Sequence, residues 1–112
     1  MTDEWGHPAP DEIDFGKLMA ALADPMRLKV VTDLIQDSVD AERTCASFNL
    51  PVSKSTCTHH FRVLRESGLI QDVDYGNRRG VRLRREDLQS RFPGLLEVLA
   101  HQAAAGTPTA AR

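Results

Sequence analysis

The sequence predicts a mainly α fold with a small β-hairpin wing, a winged helix-turn-helix, and three observations carry that expectation. First, "NLPVSKSTCTHHFRVLRESGLI" sets a proline turn, a serine cap and a glycine stop around one strongly amphipathic helix. Second, "LIQDV" and "VRLRR" are strand-like segments on either side of "DYGNRRG", the pattern of a β-hairpin. Third, the charge is unevenly spread. The 112 residues carry a net charge of −2, yet residues 53–85 hold eight bases against three acids, and the remainder six bases against thirteen acids. A positive segment inside an acidic chain suits a polyanion on one face, and a merely solvated charged surface is the plain alternative.

Taken in order, residues 1–11 read as a flexible arm, with two prolines and a glycine among them. The domain is expected over 12–105, and 106–112 as a disordered tail. From Glu12, "EIDFGKLMAALA" places Ile13, Leu18, Met19 and Leu22 at roughly helical spacing. In "DPMRLKVVTDLI", Asp24 is a good N-cap and Pro25 fits the first helical position, where its missing N–H costs nothing. The many apolar residues that follow suggest a helix largely surrounded by protein. A short helix is then expected, capped by Asp40 with Glu42 or Arg43 in its first turn, ending before Pro51. Ser53 caps the next helix and Gly68 stops it in a left-handed conformation. After the hairpin, "REDLQSRFPGLLEVLAHQAAA" reads as an amphipathic helix kinked or restarted at Pro93. The expected core is Leu18, Leu22, Leu28, Val31, Leu34, Phe48, Leu50, Cys57, Phe61, Leu64 and Leu69.

The stretch "STCTHHF" looks linear but divides by angle. At about 100° per residue, Cys57, Phe61 and Leu64 form an apolar stripe with His60 beside it. Lys54, Ser55, Thr58, His59, Arg62 and Arg65 fall on the other side, a face of hydrogen-bond donors with two arginines. A helix that reads the major groove needs this division, since its outward face must meet base edges and phosphates. An ordinary amphipathic surface helix would look the same; the turn before it and the basic wing after it favour the DNA reading. Asn77, Arg78 and Arg79 at the hairpin tip are expected to touch phosphates or the minor groove.

Other function classes find little support. There is no Gly-rich phosphate loop, no Ser-His-Asp arrangement and no paired-carboxylate pattern, so the chain is not expected to be an enzyme. No apolar run approaches the ~18 residues of a membrane span, and the acidic start is unlike a signal peptide, so no membrane partner and a cytoplasmic location are expected. Two cysteines, Cys45 and Cys57, are too few for a disulfide framework.

Together "ALADPMRLKVV", "SKSTCTHHFRVLRESGLI" and "YGNRRGVRL" resemble the ArsR/SmtB family of winged-helix repressors, over roughly Phe15 to Leu88. The resemblance implies a homodimer joined by the first and last helices, with a recognition helix from about Ser53. It implies repression of a promoter through a double-stranded DNA operator, relieved by an inducer. It also places Ser53, Ser55, Thr56, Thr58 and His59 in or beside the DNA-reading surface, with His60 at its inner edge. The DNA-binding set is therefore Ser53, Lys54, Ser55, Thr56, Thr58, His59, Arg62, Arg65, Tyr75, Asn77, Arg78 and Arg79.

Many members of that family sense metals, so a transition-metal ion is one effector to weigh. Its arsenic sensors carry a Cys-x-Cys pair before the recognition helix; this chain departs from the pattern, with Cys45 alone in "ERTCASF". Its zinc-type site draws acids and histidines from the last helix. Here Asp87, Glu97 and His101 are the nearest residues, and a solvated Glu–His pair is the commoner explanation of Glu97 and His101. Asp3, Glu4 and His7 in the arm form a weaker set. Cys57, His59 and His60 diverge around the helix, so one ion would need Cys57 and His60 together with Cys45; core packing is the simpler role for Cys57. Two rival readings remain: a winged helix that binds a partner protein rather than DNA, and a metal- or redox-responsive protein whose DNA binding does not depend on the metal.

Overall fold

The computed structural model describes residues 1–37, 42–77 and 79–104. The Asp40 cap, Arg78 and the tail 106–112 lie outside the described residues. A tight helical turn at Pro10–Glu12 precedes α1 (Phe15–Leu22). The helix expected from Glu12 starts later because Asp14 is the residue that caps it, its carboxylate accepting from the Lys17 N–H at 3.0 Å. Asp24 caps α2 (Pro25–Gln36), accepting from the N–H groups of Met26 and Arg27 at 2.8 and 3.2 Å, with Pro25 in the first turn. Around α2 lie α1, α3 (Lys54–Ser67), the last helix α5 (Leu95–Ala104) and the strand β3 (Arg79–Leu83), which accounts for its abundance of apolar residues.

The segment after α2 departs from expectation. Arg43–Thr44 form a short strand, β1, and only Cys45–Phe48 make a helical turn. Thr44 pairs with Gly80 and Arg43 with Val81, so the residues expected in a helix join the edge of the wing instead. The Arg43 guanidinium also stacks 4.2 Å above the Phe48 ring and donates to the Ser47 carbonyl. A two-residue ladder has no periodicity to read in sequence; its partner strand creates it.

The helix α3 runs between the predicted signals. Ser53 Oγ accepts from the Thr56 N–H, and Gly68 closes the helix at φ 93°. A β-carbon at Gly68 would lie 2.7 Å from the Ile13 side chain, so glycine is required by both conformation and space. β2 (Ile70–Asp74) and β3 then form the antiparallel wing, with Asp72 opposite Val81 and Asp74 opposite Arg79. The sheet order is β1-β3-β2. The last helical segment is two helices, α4 (Arg85–Arg91) and α5, interrupted around Pro93.

Of the expected core, Leu18, Leu22, Val31, Leu34, Phe48, Phe61, Leu64 and Leu69 are buried, while Leu28, Leu50 and Cys57 pack at its margin. Ile13, Val30, Ile70, Val81, Leu88 and Leu96 join them. The residues expected as a loose arm make defined contacts with the wing. His7 Nε2 accepts from the Asp72 N–H at 3.0 Å, which leaves Nδ1 to donate to Asp3 at 2.9 Å, and Pro8 is buried.

Candidate nucleic-acid interface

α3 has two chemically distinct sides because its ends are fixed and its apolar stripe is buried. Phe61 and Leu64 enter the core, where Phe61 meets Phe48 with ring centroids 5.7 Å apart. His60 is 6% exposed and acts as a polar bolt. Its Nδ1 accepts from Arg27 Nη1 at 3.2 Å, its Nε2 lies 3.9 Å from Asp24, and Arg27 Nε donates to the Ala21 carbonyl. Burial would by itself raise the Asp24 carboxyl, but the N–H bonds from Arg27 and Met26, the nearby His60 ring and the Arg27 guanidinium hold it below its ordinary value. This cluster ties α3 to the start of α2, a role for Arg27 and Asp24 toward His60 that no local motif announces.

The opposite side of α3 presents Lys54, Ser55, Thr56, Thr58, His59 and Arg62, all exposed. Ser53 joins them at the helix start, its Oγ within 2.9 Å of Thr56 Oγ1 and 3.3 Å of Ser55 Oγ. Arg65, assigned to this face from sequence, is turned elsewhere: its Nη1 donates to Asp72 Oδ2 of the wing at 2.9 Å. The two side chains are 17% and 4% exposed, so this pair is a tether between α3 and β2 rather than part of the open surface. Arg79 reaches the same carboxylate oxygen at 3.4 Å while remaining half exposed. On the wing, Asn77 is exposed and the Tyr75 hydroxyl donates to the Glu42 carboxylate at 2.8 Å, which braces the wing against the segment before β1. Arg78 lies outside the described residues.

A cavity of about 610 Å³ opens between α3, the segment from Cys45 to Val52 and the wing, and its wall includes Lys54, Thr58 and Arg79. It brings both cysteines to one space. Cys45 and Cys57 are half-buried free thiols, and burial, with contributions from Asp72 and Cys57, pushes the Cys45 thiol up to about 11. Among the described residues no three of His, Cys, Asp and Glu gather closely enough to hold a metal ion. His60 faces Arg27 and Asp24, Asp87 pairs with Arg84, and Glu97 accepts from Gln89 on the exposed side of α5, where His101 is also exposed. Asp3 and His7 bond to each other, with Glu4 exposed beside them. No helix among the described residues is long and apolar enough to cross a membrane.

No family model matches the chain. An uncharacterised helix-turn-helix transcriptional regulator of Bacillus subtilis, YceK, is 29% identical over 83 residues, spanning 74% of this chain and 83% of that protein. Among solved structures, the transcriptional repressor BigR of Xylella fastidiosa superposes with a TM-score of 0.61 at 18% identity, over 87% of each chain. A possible transcriptional regulator for arsenical resistance gives 0.57 at 26% identity, over 82% of this chain and 98% of the other. An ArsR-like transcriptional regulator from Rhodococcus gives 0.54 at 24% identity, over 80% and 78%.

The chain carries the winged-helix fold of the ArsR-family regulators. In that ArsR-type frame, α3 is the helix after the turn and β2–β3 the wing, and the exposed donors Ser53 to Arg62 lie on the open side of the helix. The relatives are described as regulators, none as an enzyme. Sequence reasoning missed Asp72, which takes Arg65 and Arg79 on its side chain and His7 on its N–H. Its only advance signal was an acid at the middle of a strand that faces an arginine-rich neighbour.

Proposed function

We propose that the chain is a sequence-specific DNA-binding transcriptional regulator, a repressor that binds a pseudo-palindromic operator as a homodimer and is released by an inducer. The observation that carries this reading is the exposed row of Ser53, Lys54, Ser55, Thr56, Thr58, His59 and Arg62 on a helix whose other side is locked into the core. On this reading Thr58 and His59 meet base edges, while Ser53, Lys54 and Arg62, with the helix N-terminus, meet phosphate. Asn77, Arg78 and Arg79 supply the wing contacts. Arg65 acts as a positioning residue, holding the wing at a set distance from α3 through Asp72.

The homodimer reading is supported by apolar surface on the first and last helices. Phe15 and Val98 are 50% and 60% exposed, and Met19 is exposed beside Phe15. Two recognition helices related by the dimer axis would read half-sites about one helical turn apart. A gel shift with the chain's own upstream promoter DNA tests the reading. Salt-sensitive retention of that fragment over random DNA is the expected result, and equal affinity for both, or no retention, rejects it in favour of a protein-binding winged helix.

A further inference from the structure

The N-terminal residues meet the wing through an imidazole whose protonation state is dictated by its two partners. β2 is the outer strand of the sheet, paired with β3, so its outward N–H groups need other acceptors. His7 Nε2 accepts from one of them, the Asp72 N–H, at 3.0 Å. Across the ring, Nδ1 lies 2.9 Å from Asp3 Oδ2. A neutral ring with its proton on Nδ1 satisfies both partners. An imidazolium has no acceptor left, and its Nε2–H would point at the Asp72 N–H. The His7 side chain is only 10% exposed, so water is a poor substitute for that bond.

The segment behind the ring is shaped to present it. Asp3 Oδ1 accepts from the N–H groups of Trp5 and His7, both at 2.9 Å, and the Asp3 N–H donates to the His7 carbonyl at 2.9 Å. These bonds close residues 3–7 into one turn, with Gly6 at φ 93°. Desolvation pulls the Asp3 carboxyl up, but the N–H bonds from His7 and Trp5 and the His7 ring hold it below its ordinary value. It therefore stays ionised wherever histidines titrate. Arg84 and Asp87 share a cleft with Asp3 and His7 and bond to each other at 3.0 Å. The Asp72 carboxylate takes Arg65 and Arg79, and the Met1 ammonium meets Glu12 at 3.0 Å. Glu66 of α3 lies against Gly6. The carboxylates of Asp3 and Glu66 draw a proton to the ring while the Asp72 N–H excludes it from Nε2. Gaining the proton thus means losing the bond to β2.

We propose that His7 is a pH-sensitive positioning residue for the wing. The neutral ring latches the N-terminal segment onto β2 and steadies Asp72, the residue that carries Arg65 of α3 and Arg79 of β3. A proton on Nε2 opens the latch. The wing is then held to α3 less firmly, and DNA affinity falls; this last step rests on the reading of the chain as a DNA-binding protein.

Nitrogen-15 NMR of the full chain, without DNA, tests the latch. At about pH 7.5 the His7 ring should be the Nδ1–H tautomer, with the Asp72 amide slowed in its exchange with water. At about pH 5.5 the ring should be protonated and that protection, corrected for the intrinsic effect of pH, lower by roughly fivefold, as for one hydrogen bond lost. His7→Ala should leave the amide unprotected at both. A ring with its proton on Nε2 at the higher pH, or an Asp72 amide equally protected at both, overturns the proposal. Promoter gel shifts test the positioning role. The affinity of the unsubstituted chain divided by that of His7→Ala should be about threefold at about pH 7.5 and close to equality at about pH 5.5. Taking the ratio cancels the opposite effect of the exposed His59, whose protonation adds attraction to phosphate. A ratio that is the same at both pH values rejects the positioning role, because a merely structural defect does not titrate. Retention of DNA by neither chain, with ring and amide behaving as expected, removes the DNA-binding reading and leaves the latch standing.

Discussion

Arg62 and Arg65 are one turn apart in sequence and opposite in circumstance. Arg62 is exposed, whereas Arg65 is held by a buried aspartate. Arg62→Ala should therefore weaken DNA binding across sequences, with stability unchanged. It should also lower the slope of log affinity against log salt by ~0.9, the value for one phosphate no longer neutralised. Unchanged affinity at physiological salt would remove this face of α3 from the interface. Cys45 allows a second prediction at this scale. Its thiol is pushed up to about 11, so in a Cys57→Ser chain its alkylation rate should rise roughly tenfold per pH unit from about pH 8 to about pH 10. A plateau near pH 9 would mean an ordinary exposed thiol.

At the scale of elements, the relation of α3 to the wing depends on Asp72. Its side chain meets Arg65 from α3 and Arg79 from β3, and its N–H meets His7 from the N-terminal residues. Removing one member of a buried pair leaves the other charge uncompensated. Asp72→Asn should destabilise the fold by on the order of 3 kcal/mol in urea unfolding and weaken DNA binding as well, because the wing loses its reference to the helix. Arg79→Ala, which removes only a longer and more exposed ion pair, should leave stability within about 0.5 kcal/mol while still reducing DNA affinity. Equal destabilisation by the two would show that Asp72 is not the tether. Gly68 belongs to this scale too, since the left-handed turn it makes delivers the chain from α3 into β2 against Ile13.

At the scale of the whole molecule, α1 and α5 each leave apolar side chains exposed. Phe15 lies against Phe92 with ring centroids 5.3 Å apart, yet half of Phe15 stays exposed, as does more of Val98. Val98→Glu should convert a dimer into monomers in sedimentation experiments and steeply reduce operator affinity, because the two half-sites are then no longer bound by one molecule. A chain that is monomeric before the substitution would reject the dimer.

The sequence by itself determined the elements whose signals are local. Ser53 and Asp24 cap helices through their own nearby N–H groups, Gly68 ends α3, and the alternation around "DYGNRRG" makes the wing. The split of "STCTHHF" into a core side and an open side also followed from helical geometry, with Phe61 and His60 buried and Ser55, Thr58 and His59 exposed. Tertiary structure alone decided the rest. It made Arg43–Thr44 a strand, because only a neighbouring strand can recruit two residues into a ladder. It withdrew Arg65 from the open face, since a guanidinium's direction depends on where the partner acid arrives, seven residues on and across a turn. It also brought Cys45 and Cys57 to one cavity. Caps, stops and periodicity act within a few residues of chain, whereas ion pairs, ladders and cavities depend on distances that exist only once the chain has packed.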